Sequence, residues 1–196
     1  MCNLYSLRTG DLFDLWSKAL RLPVVWEGHA SNFEPRPEIR MTETAPVVRH
    51  VADKAVVSMT RWGWQGAKGP VFNYVSQARD FSQCDRVLIP TDGFYEFTAP
   101  QAGQRRKTRW RFKMPGDPVF WIAGIVKHGA FTMLTTAPGA DIAPDHDRQV
   151  VVLPARRGLE WLDLSRPAAE ILTALPPGSL AVERDFPPPQ PAGLFG

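Results

Sequence analysis

Short apolar segments separated by turn residues dominate the chain from residue 47 to residue 153 and constrain its fold more than any other feature. The segments are rich in Val, Phe, Trp and Thr, and Gly, Pro or Asp residues lie between them. Such a pattern is typical of short β-strands. We predict strands at Val47–His50, Val56–Trp62, Arg86–Pro90, Phe94–Phe97, Thr108–Lys113, Val119–Val126, Ala130–Thr136 and Gln149–Leu153.

Helical periodicity is confined to a few short stretches. Apolar residues recur at helical spacing from Leu7 to Leu20, with Thr9 or Asp11 available to cap the start and Pro23 to end the helix. Further short helices are predicted at Tyr74–Phe81, Gly158–Leu162 and Ala168–Leu175. The stretch NFEPRPEIRMTETAP is predicted to be an extended loop, because prolines disfavour both helices and central strands.

These elements indicate one α+β domain around a curved, mainly antiparallel, barrel-like β core with a few short helices. We expect this domain to span residues 1–185 and a Pro-rich tail to span 186–196. With 196 residues, 44% of them hydrophobic, the chain can bury a substantial core. It has no run of about 18 apolar residues and no apolar signal segment at its start, so we expect no membrane association. Two cysteines form no disulfide framework, which indicates a reducing compartment, so we expect a cytoplasmic protein. We also expect it to be a monomer.

The formal net charge is only +3, but one group of cations is concentrated in the sequence. It comprises Arg105, Arg106, Lys107, Arg109 and Arg111. Such a cluster is typical of either a phosphate-binding patch or a solvated hairpin loop, and the sequence leaves both interpretations open.

Cys2 directly follows the initiator methionine. If Met1 is removed, the chain begins with a residue that carries an α-amine, of reference pKa about 7.7–8.0, and a thiol, of about 8.5, on adjacent carbons. With an aldehyde the amine forms a Schiff base, which the thiol closes to a five-membered thiazolidine. With an amide or ester, the thiol could instead attack, using its own amine as the base. The position suggests both chemistries and selects neither.

Three other side chains could take part in chemistry. Glu96 lies among aromatic residues in LIPTDGFYEF, where an ionised carboxylate needs a partner or acquires a raised pKa; the alternative is a solvated strand face. His146 lies in PDHDRQ, between acids and an arginine. Asn73 alone would be interpreted as a helix cap. No HxH, HxxxH or CxxC spacing occurs, so we predict no metal site and no cofactor.

Several stretches occur in an order that resembles the SOS-response-associated peptidase (SRAP) family. They are MCNLY, SNFEP, TRWGW, FNYVSQ, RVLIPTDGFYEF, WIAGIV, MLTTAP and APDHDR, and the resemblance runs from residue 2 to about 154. It implies a compact α+β domain with a basic cleft for single-stranded DNA that contains abasic sites.

The resemblance also implies roles for individual residues. Cys2, exposed after Met1 removal, would link covalently to the ring-opened aldehyde of an abasic site and shield it from strand cleavage. Asn73 would hydrogen-bond the cysteine-derived ring, Glu96 would transfer protons at the amine, and His146 would assist sugar-ring opening. The same group would remove the N-terminal residue autoproteolytically. Beside these implied roles, the residues themselves lead us to predict contacts to the DNA at Arg61, Trp62, Arg79, Arg86, Thr135 and Arg148. The alternative for Trp62 is a position in the core.

The chain departs from the family pattern at three places. Leu4 and Val75 stand where many members have arginine, and Gln149-Val150 replaces Met-Pro. Two other functions remain open from the residues alone. One is an N-terminal-nucleophile cysteine amidohydrolase, which also matures to an N-terminal cysteine. The other is a non-catalytic single-stranded-DNA-binding module in which Cys2 is incidental.

Overall fold

The computed structural model describes residues 2–9, 12–28, 34–100, 105–143 and 146–186. This part of the chain contains sixteen strands and three short helices. The strands are β1 Leu4–Leu7, β2 Val24–Trp26, β3 Arg36–Arg40, β4 Thr44–Val51, β5 Lys54–Trp62, β6 Trp64–Gly66, β7 Gly69–Val71, β8 Asn73–Val75, β9 Asp85–Thr91, β10 Gly93–Thr98, β11 Thr108–Lys113, β12 Phe120–Lys127, β13 Ala130–Thr136, β14 Gln149–Val150, β15 Val152–Leu153 and β16 Ala181–Phe186. The helices are α1 Leu12–Leu20, α2 Gly158–Asp163 and α3 Ala168–Ile171, and a 3-10 turn spans Ala155–Arg157.

Two curled sheets form the core, and a two-stranded ribbon of β6 and β7 accompanies them. One sheet has the order β16-β11-β10-β1-β3, and the other has the order β14-β13-β12-β9-β4-β5-β2. Most pairs are antiparallel, but β13 also runs parallel to β5 and β8 over two or three residues. The predicted α+β class with a curved, barrel-like core is therefore confirmed.

Large aromatic side chains fill the interior. Trp16 of α1 packs against Trp121 of β12, and Trp161 of α2 packs edge-on against Phe81. All four are almost fully buried, which explains how a chain with so many short strands acquires a continuous core.

Four sequence predictions for elements need correction. The N-terminal helix begins at Leu12 rather than Leu7, because Leu4–Leu7 pairs as a strand between β10 and β3. The proposed cap Asp11 lies outside the described residues. The predicted helix at Tyr74–Phe81 is wrong, because Asn73–Val75 joins the sheet beside β13. The third helix ends at Ile171 rather than Leu175. The last predicted strand is divided into β14 and β15.

The Pro-rich stretch is also more ordered than predicted. It contains β3 and the start of β4. Pro37 is compatible with β3 because β3 is the outermost strand of its sheet, and an outermost strand has one side without a ladder. Pro46 lies in β4, whose pairing with β9 is made at Val48–Leu88 and does not extend to the proline. None of the described helices is both long and apolar enough to cross a membrane.

Candidate active site

Strand β1 fixes the position of Cys2. Pairing of β1 with β10 on one side and β3 on the other holds the residues that follow the cysteine. The Cys2 side chain is fully buried, and its thiol donates a hydrogen bond to the carbonyl of Leu4 at 3.3 Å. Burial, reinforced by the charge of Glu96, raises the pKa of the thiol to about 12. In this state the thiol is neutral at physiological pH and shielded from solvent.

Asn73 reaches Cys2 from the other sheet. The parallel pairing of β8 with β13 positions it, and its side-chain amide donates a hydrogen bond to the Cys2 carbonyl at 2.8 Å. The amide oxygen of Asn73 is buried and accepts no hydrogen bond from any residue within the described ranges. Asn73 therefore fixes the main chain at Cys2 and offers a buried acceptor beside it.

Glu96 lies on β10, the strand next to β1. Its side chain is 1% exposed, and this burial raises the pKa of its carboxyl group from 4.5 to about 7. The nearby carboxylate of Asp147 acts in the same direction. A carboxyl group with a pKa near 7 can both donate and accept a proton at neutral pH, which is the property required of a general acid–base catalyst.

His146 completes the cluster. Its backbone N–H bonds to the carbonyl of Ile142 at 3.2 Å, and its Nε2 lies 3.8 Å from Oε2 of Glu96. The His146 side chain remains 12% accessible. The structure thus brings together Cys2, Asn73, Glu96 and His146 from four separate segments of the chain. They place an imidazole, a carboxyl group, an amide and a thiol in one partly buried cluster.

The residues assigned to DNA contacts fall into two groups. Arg61 and Arg79 are exposed, as a phosphate contact requires. The Arg79 guanidinium lies 4.5 Å over the ring of Tyr74, and its Nε donates to the carbonyl of Val75 at 3.0 Å. Val75 itself is 40% exposed, and the side chain of Arg79, four residues further along the chain, folds back to its carbonyl.

The other group does not present the surface that was predicted. Trp62 is fully buried, stacked at 6.0 Å on Phe131, with its indole N–H bonded to the carbonyl of Phe72, so no ring face is open to a base. Arg86 donates to the carbonyls of Leu162 and Phe81 and holds α2 against the sheet. Thr135 is 1% exposed. These three positions are structural in this conformation.

Arg148 connects the segments that carry the cluster. Its Nε and Nη2 donate to Oγ1 and the carbonyl of Thr135 at 3.2 and 2.9 Å, and Nη2 also bonds Oε1 of Gln77 at 2.7 Å. Thr135 lies on β13 beside β8, and Gln77 lies two residues after the end of β8. Arg148 therefore ties the His146 segment to the segment that carries Asn73.

Gln77 and Asp147 were not assigned a role from the sequence. Gln77 lies in the family stretch FNYVSQ and Asp147 in APDHDR, so the resemblance to the family could have pointed to both residues. Gln149, at one of the departures from the family pattern, is buried and accepts a hydrogen bond from the Gly139 N–H at 2.6 Å. Within the described ranges, no three His, Cys, Asp or Glu side chains are grouped closely enough to hold a metal ion.

Comparison with known proteins identifies the family of the chain. The family model described as SOS response associated peptidase (SRAP) matches residues 1–183. The chain belongs to the SRAP family. A curated relative is the abasic site processing protein YoaM of Bacillus subtilis (strain 168), which is 28% identical over 99 residues. This match covers 46% of the chain and 43% of YoaM, less than half the length of that relative.

Two solved structures share the SRAP chain's fold. A phage-related protein from Bordetella bronchiseptica superimposes with a TM-score of 0.67 at 20% identity, over 93% of both chains. A protein from Bacteroides thetaiotaomicron gives a TM-score of 0.71 at 16% identity, over 93% of this chain and 91% of its own. At these identities the likeness supports the fold alone.

Proposed function

We propose that the protein is an abasic-site sensor that links itself covalently to single-stranded DNA through Cys2 after Met1 is removed. The observation that carries the proposal is the grouping of Asn73 and Glu96 beside Cys2, with His146 next to Glu96, in a member of the SRAP family. The partial similarity to YoaM, which is named as an abasic site processing protein, supports the substrate class.

The reaction consumes an aldehyde and a 1,2-aminothiol. The α-amine of Cys2 attacks C1′ of the ring-opened abasic sugar, and loss of one water gives an imine. The thiol sulfur then adds to the imine carbon, its proton passes to nitrogen, and a thiazolidine closes. One C–N and one C–S bond form, the C=O bond is lost, and no oxidant or reductant is required.

The acid–base groups match these steps. An ionised Glu96 accepts a proton from the α-ammonium and leaves the amine nucleophilic. His146, 3.8 Å from Glu96 and partly accessible, donates a proton to the sugar-ring oxygen as the closed abasic sugar opens. Because the thiol is buried and mainly protonated, the amine reacts first and the thiol closes the ring afterwards.

Autoproteolysis supplies the reactive amine. Hydrolysis of the Met1–Cys2 amide consumes one water and releases methionine, and the Asn73 hydrogen bond to the Cys2 carbonyl keeps the main chain in place during both reactions. Binding of the DNA backbone is assigned to Arg61 and Arg79, the two exposed arginines of the predicted set. Arg148 instead holds the segment that carries His146 in place through its bonds to Thr135 and Gln77.

Adduct formation on an abasic oligonucleotide tests the proposal. Wild-type protein should give a heat-stable adduct, Cys2→Ser should give none, and Cys84→Ser serves as the matched control with a thiol removed elsewhere. Full protection of the abasic strand by Cys2→Ala would favour a non-catalytic binding module. Release of ammonia from glutamine, without any adduct on the oligonucleotide, would favour the amidohydrolase.

A further inference from the structure

The cationic cluster at residues 105–111 borders a depression on the outer face of the β1-containing sheet. We call this depression the aromatic slot. Its volume is about 400 Å³, and it is lined by Phe97, Arg106, Lys107, Arg109 and Phe186. Phe97 and Phe186 lie on opposite sides of Arg109, because Arg109 of β11 pairs with Phe97 of β10 and with Phe186 of β16. Two partly exposed rings thus flank the slot.

Arg109 differs from the other two cations of the slot. It is bound to Glu38 at 2.6 Å and Asp185 at 2.5 Å, and its guanidinium lies 5.1 Å over the ring of Tyr95, so its charge is already compensated within the protein. Arg106 and Lys107 are exposed and form no ion pair with any residue in the described ranges. The slot therefore presents an aromatic interior beside two exposed positive charges that no described residue compensates.

The slot shares lining residues with a depression beside the residues that follow Cys2. A second depression, of about 360 Å³, shares Phe97 and Arg109 with it and is lined further by Asn3, Leu4, Arg40 and Met41. Asn3 and Leu4 follow Cys2 directly. From β1 to β16 the sheet crosses three strand spacings, or about 14 Å, a distance that a short length of extended single strand can cover.

We propose that the aromatic slot holds an unpaired nucleobase of the same strand, next to the abasic site that reacts at Cys2, while Arg106 and Lys107 contact the adjoining phosphates. This inference rests on the proposed function. Aromatic rings beside a groove of positive charge are the combination by which proteins bind single strands, because each base has a face that stacks. The exposed Arg106 and Lys107 favour a negatively charged occupant, and the two rings favour a flat apolar group.

A series of abasic oligonucleotides tests the slot. Each carries one reactive abasic site and one tetrahydrofuran residue, which lacks a base and cannot open to an aldehyde, at successive positions on either side. For wild-type protein, only one position or two adjacent positions in this series should be sensitive. Removal of the base there should slow adduct formation at subsaturating protein by about 5- to 150-fold. Phe186→Ala should show a loss in this range on the complete oligonucleotide and no further loss when that base is removed.

Control variants separate the slot from general damage. Val182→Ala removes an exposed aliphatic side chain from the same strand β16 and should behave as wild type at every position. Reaction with 2-deoxyribose 5-phosphate, which offers an aldehyde without neighbouring bases, should be unchanged in Phe186→Ala. Arg106→Gln and Lys107→Gln should each lower the slope of log affinity against log salt by about 0.7.

The possible failures are distinguishable. If wild-type protein forms no adduct with any abasic oligonucleotide, the proposed function is wrong. If it forms adducts at rates that do not depend on the flanking bases, only the slot assignment is wrong. A loss in Phe186→Ala that is equal for every oligonucleotide would mean that the slot packs against protein rather than a base, and it would also overturn the inference.

Discussion

Replacing Glu96 with glutamine should stabilise the folded protein above neutral pH. The carboxyl group is 1% exposed, and burial raises its pKa from 4.5 to about 7. Because the folded-state pKa is above the unfolded value, the wild-type protein loses stability as pH rises from about 4.5 to about 7. Each pH unit of difference corresponds to 1.36 kcal/mol, so the ionised carboxylate costs about 3 kcal/mol. Glutamine avoids this cost because it has no proton to lose.

The free energy of unfolding, from urea denaturation at pH 5 and pH 8.5, measures the effect. The stability gained by Glu96→Gln over wild type should be about 2–3 kcal/mol larger at pH 8.5 than at pH 5, because at pH 5 the wild-type carboxyl group is still protonated in the folded state. Glu183→Gln is the matched control. Its side chain is 53% exposed, so the change should stay within about 0.5 kcal/mol at both pH values.

An equal stability difference at the two pH values would refute the reasoning, because it would mean that Glu96 ionises as readily in the folded as in the unfolded chain. The same variant should form the DNA adduct more slowly, since it has lost the group that accepts a proton from the amine. A more stable and less active variant is the expected result for a buried group retained for chemistry.

Three further predictions follow from the site. Iodoacetamide at pH 8 should modify Cys84 at least about 10-fold faster than the buried, high-pKa Cys2, and the two rates should converge in urea; equal rates in the folded protein would contradict the burial of Cys2. Asn73→Ala should lose the bond to the Cys2 carbonyl and about 1–3 kcal/mol of stability by urea denaturation, and an unchanged midpoint would argue against that bond. Arg148→Gln should slow adduct formation without changing the salt dependence of DNA binding, whereas Arg61→Gln should lower that slope by about 0.7; a lowered slope in Arg148→Gln would make Arg148 a phosphate ligand.

Much of the sheet could be predicted from local patterns, because segments such as Ala130–Thr136 combine β-forming residues with clear turn signals at both ends. The strands that were missed owe their conformation to distant partners. Leu4–Leu7 continues an apolar pattern that also suits a helix, and it becomes a strand because β10 and β3 pair with it. Asn73–Val75 is only three residues long and depends on β13.

The candidate site could likewise be predicted only in part. Cys2, Glu96 and His146 could be selected by their chemistry and their neighbours in the sequence, and the structure brings them together. The environment of each side chain could not be predicted, because burial is a property of the whole fold. The sequence around Trp62 is compatible with a base-stacking surface or a core position, and only packing against Tyr5 and Phe131 distinguishes the two. Arg86 and Arg148 are likewise cations that each have a hydrogen-bond partner far away in the chain, Leu162 and Gln77.

The intact mass of the purified protein, before and after incubation with an abasic oligonucleotide, tests the central claim most directly. The account predicts a protein that lacks one methionine, and an adduct whose mass equals this protein plus the oligonucleotide minus one water. Protein that still carries Met1 should remain unmodified in the same sample. An adduct on the Met1-containing form, or no adduct on the processed form, would contradict the aminothiol mechanism.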